Sequence, residues 1–204
     1  MSKNLLVDYI PFQVSPEMIN ESMANNNGKL IVKGVLQRAE AKNQNGRIYP
    51  KEILMRESKK YMDSFIKESR ALGELDHPDS SVVNLQNVSH NVLNMGWDGD
   101  DLVGEVEVLS TPSGNILKEL FKSGIRLGIS SRGMGSVKEM MSEDGRGQVL
   151  QVQPDFDLIA FDFVSNPSTH GAFLSPINES VGAKSATDPY LSINRLITDI
   201  IKEF

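Results

Sequence analysis

Between residues 30 and 164 one pattern repeats: a short run of branched apolar residues, then a cluster of Asn, Asp, Gly, Ser or Pro. Runs this short, closed by turn-forming residues, predict strands rather than a bundle of long helices. Residues 30–39 (LIVKGVLQRA) read as the first strand, ended by Asn43-Gln44-Asn45-Gly46. Residues 70–75, 88–97, 102–109, 125–137, 148–152 and 158–164 read as further strands. Asp98-Gly99-Asp100-Asp101 joins two of them as a hairpin. Helical spacing of Ile53, Leu54, Tyr61, Met62, Phe65 and Ile66 predicts a helix over about 51–68. Thr111-Pro112 opens a second helix, which Ser123-Gly124 closes. The expected class is α+β, mainly an antiparallel barrel or sandwich decorated by helices. The polar, proline-containing residues 1–28 read as an arm. Residues 177–189 read as a linker, and 191–204 as a short amphipathic helix, which leaves 29–176 as the folded domain.

A chain of 204 residues can bury a core without disulfides or a structural metal. Its formal charge of −6 argues against a nucleic-acid partner, since duplex binders carry a positive surplus. Cysteine is absent, which removes thiol nucleophiles and thiolate metal sites. Any imidazole chemistry must use His77, His90 or His170. No segment approaches the roughly 18 apolar residues of a membrane helix, and the amino terminus does not read as a signal peptide. The expectation is a soluble, cytoplasmic protein.

Three segments break the local rules, and such breaks are where function tends to lie. In Gly73-Glu74-Leu75-Asp76-His77-Pro78, a histidine sits at a strand end with proline fixing the chain behind it. In Gly128-Ile129-Ser130-Ser131-Arg132-Gly133-Met134-Gly135-Ser136, glycines and serines crowd a strand, letting another backbone approach closely. Alternation places Leu127, Ile129 and Ser131 on one face and Ser130 with Arg132 on the other. With the apolar face inward, Ser130 points outward beside a guanidinium. The third break is Asp162 within Leu158-Ile159-Ala160-Phe161-Asp162-Phe163-Val164, where a carboxylate needs a specific partner. A histidine, a strand serine and a buried aspartate together suggest a nucleophilic hydrolase. Metal-dependent hydrolysis through Glu74, Asp76, His77 and Asp79 ranks lower, because adjacent strand residues point to opposite faces. No cofactor or metal is expected.

These motifs, with Asn45-Gly46-Arg47-Ile48-Tyr49-Pro50 and Phe161-Asp162-Phe163-Val164-Ser165-Asn166-Pro167-Ser168, resemble the prohead core proteases of contractile-tailed bacteriophages over about residues 30–176. The resemblance implies a serine endopeptidase on a β-barrel surrounded by helices, as in herpesvirus assemblins. It would act inside the immature capsid in the host cytoplasm, on scaffold and core proteins and the major capsid protein, with self-association possible. Carried over by motif, His77 is the general base and Ser130 the nucleophile, with Ser131 as fallback. Asp162 is the third member, with Glu74 and His170 as alternates. Arg132 and backbone N–H groups are candidates for holding the oxyanion. Asp76 departs from the Asn that the family pattern would place before the histidine; a carboxylate there would favour the protonated imidazole.

The resemblance also implies cutting after Glu, with Leu or Ile two residues before it. Ile19-Asn20-Glu21-Ser22 and Ile177-Asn178-Glu179-Ser180 fit, and both fall in segments read as arm and linker. The expectation is a zymogen that sheds residues 1–21 and 180–204 by cuts at Glu21–Ser22 and Glu179–Ser180. The alternative to a protease is a non-catalytic capsid or scaffold component on the same fold.

Overall fold

A computed structural model of the chain describes residues 3–12, 14–76, 78, 80–141 and 147–165. In chain order these form β1 (Asn4–Phe12), α1 (Pro16–Asn25), β2 (Leu30–Arg38), β3 (Arg47–Ile48), α2 (Lys51–Tyr61), β4 (Leu72–Glu74), β5 (Val88–Asp98), β6 (Asp101–Val108), α3 (Pro112–Lys122), β7 (Leu127–Gly135), β8 (Val137–Met141), β9 (Gln148–Val152) and β10 (Asp157–Val164). The class is α+β, mostly strand.

Two antiparallel sheets carry the architecture, in the orders β2-β6-β5-β4 and β1-β7-β10. They join where Leu75 bridges Phe163 and the Asp76 N–H donates to the Phe163 carbonyl at 2.7 Å. The described strands do not close a barrel, which corrects the expectation. β1 and β2 end the two sheets without a ladder between them. The Phe12 ring rests directly on Gly34, so a side chain rather than backbone pairing fills that seam.

The hairpin of β5 and β6 turns at Asp98–Asp101 as its sequence predicts, with Gly99 at φ +58°. The strand expected over 125–137 breaks at Ser136, whose N–H and Oγ both donate to Asp155 Oδ1 at 3.0 Å. Beyond that point β8 pairs with β9, and β3 runs parallel to β9, making a small third sheet. The helix expected over 51–68 is regular only to Tyr61, after which Met62–Ile66 widen into a π-helical turn.

The amino terminus departs furthest from expectation. Residues read as an arm fold as β1 and α1, with Leu6, Phe12 and Ile19 buried. The inward series of β1 is Leu6, Asp8, Ile10 and Phe12, and the charge at Asp8 hid the period-2 pattern. Asp8 is 1% exposed and satisfied by three residues of the Asn45–Pro50 motif. Asn45 Nδ2 and Arg47 donate to Oδ1 at 2.7 and 3.0 Å, and the Tyr49 hydroxyl donates to Oδ2. That motif is therefore a lock on β1. Burial beside the Asp8 carboxylate drives the Tyr49 phenol well above its ordinary pKa, so it stays a donor.

Aromatic side chains dominate the core between the two main sheets. The Phe163 ring meets Phe12, Phe121 and His90 edge-on, with centroids 5.3, 5.4 and 4.7 Å away. His90 is fully buried, its Nε2 2.9 Å from the Phe161 carbonyl and its Nδ1 2.8 Å from Ser89 Oγ. The ring occupies space left by Gly73, where a Cβ would strike it and the Phe161 carbonyl.

Burial lowers the His90 pKa from 6.5 to about 4, so the folded chain holds it neutral. The unfolded chain takes up that proton near pH 6.5, which makes His90 stabilising above that value. The contribution, of order 3 kcal/mol, is lost as pH falls through about 4. Asp162 works in the opposite direction, since burial raises its pKa from 3.8 to about 6. The His90 effect is therefore read as a difference. Wild type minus His90→Gln should show denaturation stability shrinking between pH 6.5 and 4, and a pH-independent difference would refute it.

Candidate active site

β7 is the centre of its sheet, with β1 on one side and β10 on the other. Register sets Ser130 opposite Tyr9 on β1 and opposite Asp162 on β10. Directly paired residues share a face, so these three side chains lie on one side of the sheet. Ser131 faces the other way, opposite Asp8 and Phe161. The alternation read from the sequence thus holds, although Ser130 and Arg132 are not exposed: they are 1% and 0% accessible.

The two serines differ in what they touch. Ser131 Oγ accepts from Gln37 Nε2 at 2.8 Å and lies 3.5 Å from the Asp8 carbonyl. It is a structural hydroxyl tying β7 to β2. Ser130 Oγ is buried and has no hydrogen-bond partner among the described residues. An unsatisfied buried hydroxyl is costly and calls for a reason, such as a catalytic role.

Asp162 Oδ1 accepts from the Glu74 N–H at 3.0 Å and from Arg132 NH2 at 3.2 Å, while its Oδ2 lies 2.8 Å from Arg132 Nε. Burial raises the carboxyl pKa to about 6, against the opposing pull of the guanidinium and the N–H. At neutral pH the carboxylate predominates. Arg132 also donates to Glu74 Oε1 at 3.0 Å and to the Ser80 carbonyl at 2.8 Å. Glu74 Oε1 accepts in addition from the Asn84 N–H at 3.0 Å.

This network fastens the chain after β4 to the serine strand. Glu74, Ser80 and Asn84 flank or belong to the segment that carries His77, and all bind Arg132 or its partner. The Arg132 guanidinium is fully buried among carboxylates and a carbonyl, which opposes the expected use on an oxyanion. At the other end of the loop, Asp76 is pinned by its N–H to Phe163, one residue from Asp162. Its φ of +66° is left-handed, a conformation that Asp and Asn tolerate. The aspartate at position 76 meets that requirement.

His77 lies outside the described residues, as do His170, Glu179, Ser180 and the whole of 177–204. Glu21 is exposed on α1, and Ser22 Oγ donates to the Ile31 carbonyl at 2.6 Å and accepts its N–H at 2.8 Å. The tetrapeptide at 19–22 is thus helical and anchored, with Ile19 in the core. Sequence reading missed Tyr9, because β1 itself was hidden.

Comparison with known proteins places the chain among relatives. The family model described as prohead core protein serine protease matches residues 6–182. The prohead core protein protease of Enterobacteria phage T4 is 33% identical over 172 residues, covering 80% of this chain and 79% of its own. The solved structure of the bacteriophage T4 capsid assembly protease superposes with a TM-score of 0.69 at 27% identity, covering 81% of this chain and 99% of the other. A family match over most of the chain, a relative at this identity and a fold shared at this level lead to one conclusion: the chain belongs to the prohead core serine protease family.

Proposed function

We propose that the chain is a serine endopeptidase of phage capsid maturation in which Ser130 is the nucleophile, His77 the general base and Asp162 the orienting carboxylate. The observation that carries this reading is the buried Ser130 hydroxyl, without a hydrogen-bond partner among the described residues and directly across the ladder from Asp162. The glycines at 128, 133 and 135 are instead covered by neighbouring rings, Tyr9 over Gly128 and Phe156 over Gly133 and Gly135, so they admit packing across the strand.

In the proposed mechanism His77 takes the Ser130 hydroxyl proton as Oγ attacks the scissile carbonyl. The tetrahedral adduct collapses when His77 returns that proton to the leaving amine. Water, deprotonated by the same imidazole, then hydrolyses the acyl-enzyme. Asp162 stabilises the imidazolium formed in each half. Backbone N–H groups, rather than the occupied Arg132 guanidinium, would hold the oxyanion. Arg132 instead holds Asp162 and the His77 segment in place.

The substrates would be scaffold, core and capsid proteins inside the prohead, cut after Glu with Leu or Ile two residues before it. Self-cleavage at Glu179–Ser180 fits this pattern. A cut at Glu21–Ser22 requires α1 to unwind first, because proteolysis needs an extended segment.

The test is active-site titration with a fluorophosphonate, read by intact mass and peptide mapping. The wild type and Ser131→Ala should each gain one adduct on the peptide containing Ser130, and Ser130→Ala none. Absence of any adduct under conditions that cleave an Ile-Asn-Glu-Ser peptide would overturn the serine mechanism. If the chain also fails to cleave, a non-catalytic capsid role takes its place.

A further inference from the structure

The amino-terminal strand brings one side chain to the nucleophile that nothing in the serine–histidine–aspartate arrangement uses. Tyr9 is directly opposite Ser130 in the β1–β7 ladder and shares its face. Its ring leans along the sheet and fills the space above Gly128, where any Cβ would collide with the ring edge. The position two residues before Ser130 on the same face is thus glycine because the ring of Tyr9 lies there. Tyr9 also lines an open groove of about 560 Å³, together with Pro11, Gly34, Arg38 and Lys42. The ring is half-buried, so part of it remains available for contact.

An aromatic ring that pairs across the ladder with the proposed nucleophile and also lines an open groove can serve as a wall. A glycine beneath it could be explained by packing alone, since aromatic rings commonly cover strand glycines. Packing alone leaves the position unexplained, however, because Tyr9 is the one β1 residue that lies directly across from Ser130.

We propose that Tyr9 is a specificity-determining residue of the protease site, its ring forming the apolar wall against which a substrate side chain next to the scissile bond packs. β1 is then part of the working site rather than a removable prosegment. This proposal rests on Ser130 being the nucleophile.

The experiment uses the full chain and ten-residue peptides built around Ile-Asn-Glu-Ser, the sequence found at 19–22 and at 177–180. Each residue within three positions of the scissile bond is in turn made Leu or Ser. Wild type and Tyr9→Phe should prefer Leu over Ser at one position by about ten- to thirtyfold in kcat/KM. Tyr9→Ala should lose that preference, with the loss carried by KM on the Leu peptide rather than by kcat. Gly128→Ala, which displaces the ring without removing it, should weaken the same preference. Equal loss on every peptide, tracking a fall in Tm, would show a purely structural ring and overturn the proposal. So would an unchanged preference in Tyr9→Ala. Ser130→Ala separates the two readings: cleavage retained in that variant overturns the nucleophile assignment and the Tyr9 proposal together. Cleavage lost there, with Tyr9→Ala unchanged, overturns the Tyr9 proposal alone.

Discussion

Ser130→Ala is expected to lower kcat/KM for peptide cleavage by about 10⁴-fold or more while leaving the fold intact. The methylene of Ser130 contributes packing, but its hydroxyl makes no hydrogen bond among the described residues, so its removal strands no partner. Stability should therefore stay within about 0.5 kcal/mol of wild type or rise slightly. Ser131→Ala is expected to behave in the opposite way. It leaves the Gln37 amide without its acceptor, at a cost of about 1–2 kcal/mol, and keeps turnover within a few fold. Rate measurements on both variants beside urea unfolding separate the two serines. A Ser130→Ala protein with near-normal turnover, or a Ser131→Ala protein without any, would reverse the assignment made from the strand's alternation.

Arg132→Met should have the largest effect on stability. The side chain is fully buried, and it is the cation that Glu74 and Asp162, both 0% exposed, share. Truncating one member of such a cluster leaves two buried carboxylates facing each other, a loss of about 3–5 kcal/mol. The same change frees the Ser80 carbonyl and loosens the chain that follows β4. Neutralising the two acids as well, in Glu74→Gln/Arg132→Met/Asp162→Asn, should recover part of the unfolding free energy. It should not recover proteolysis, because Asp162 is then absent as a carboxylate. Chemical denaturation and a peptide assay on the same three proteins make the comparison. A single Arg132→Met variant within about 1 kcal/mol of wild type would mean that the acids are already neutral or solvated in the folded state.

Much of the β-structure could be read from spacing alone, because β2, β5 and β6 carry apolar series bounded by turn residues, and β7 and β10 keep that outline around their polar interruptions. The face assignment on β7 was equally legible, since strand alternation is indifferent to what covers the sheet. Burial on that face was not, because it depends on Arg132 meeting Glu74, 58 positions away in the chain. β1 escaped for a related reason. Its inward series contains Asp8, and the residues that make a buried aspartate tolerable are Asn45, Arg47 and Tyr49, nearly 40 positions on. The recurrence of three hydrogen-bonding side chains within Asn45–Pro50 was a visible sign that something polar had to be received there. Closure of a barrel was over-read: a count of strands says nothing about whether the first and last sheets meet, and here Phe12 on Gly34 stands at the seam.

The placement of β7 between the chain's first strand and the last described one also governs when the Ser130 strand can be completed. β1 is synthesised first, β7 more than 110 residues later and β10 later still, yet β7 needs both neighbours to be flanked on each side. Such long-range pairing is slow to form, because the loops between partners must close before any contact is gained. A nascent chain on the ribosome therefore carries Ser130 without its β10 neighbour until residues 157–164 have emerged. The Ser130 strand is thus completed late by its own topology, only once the last described strand has been translated.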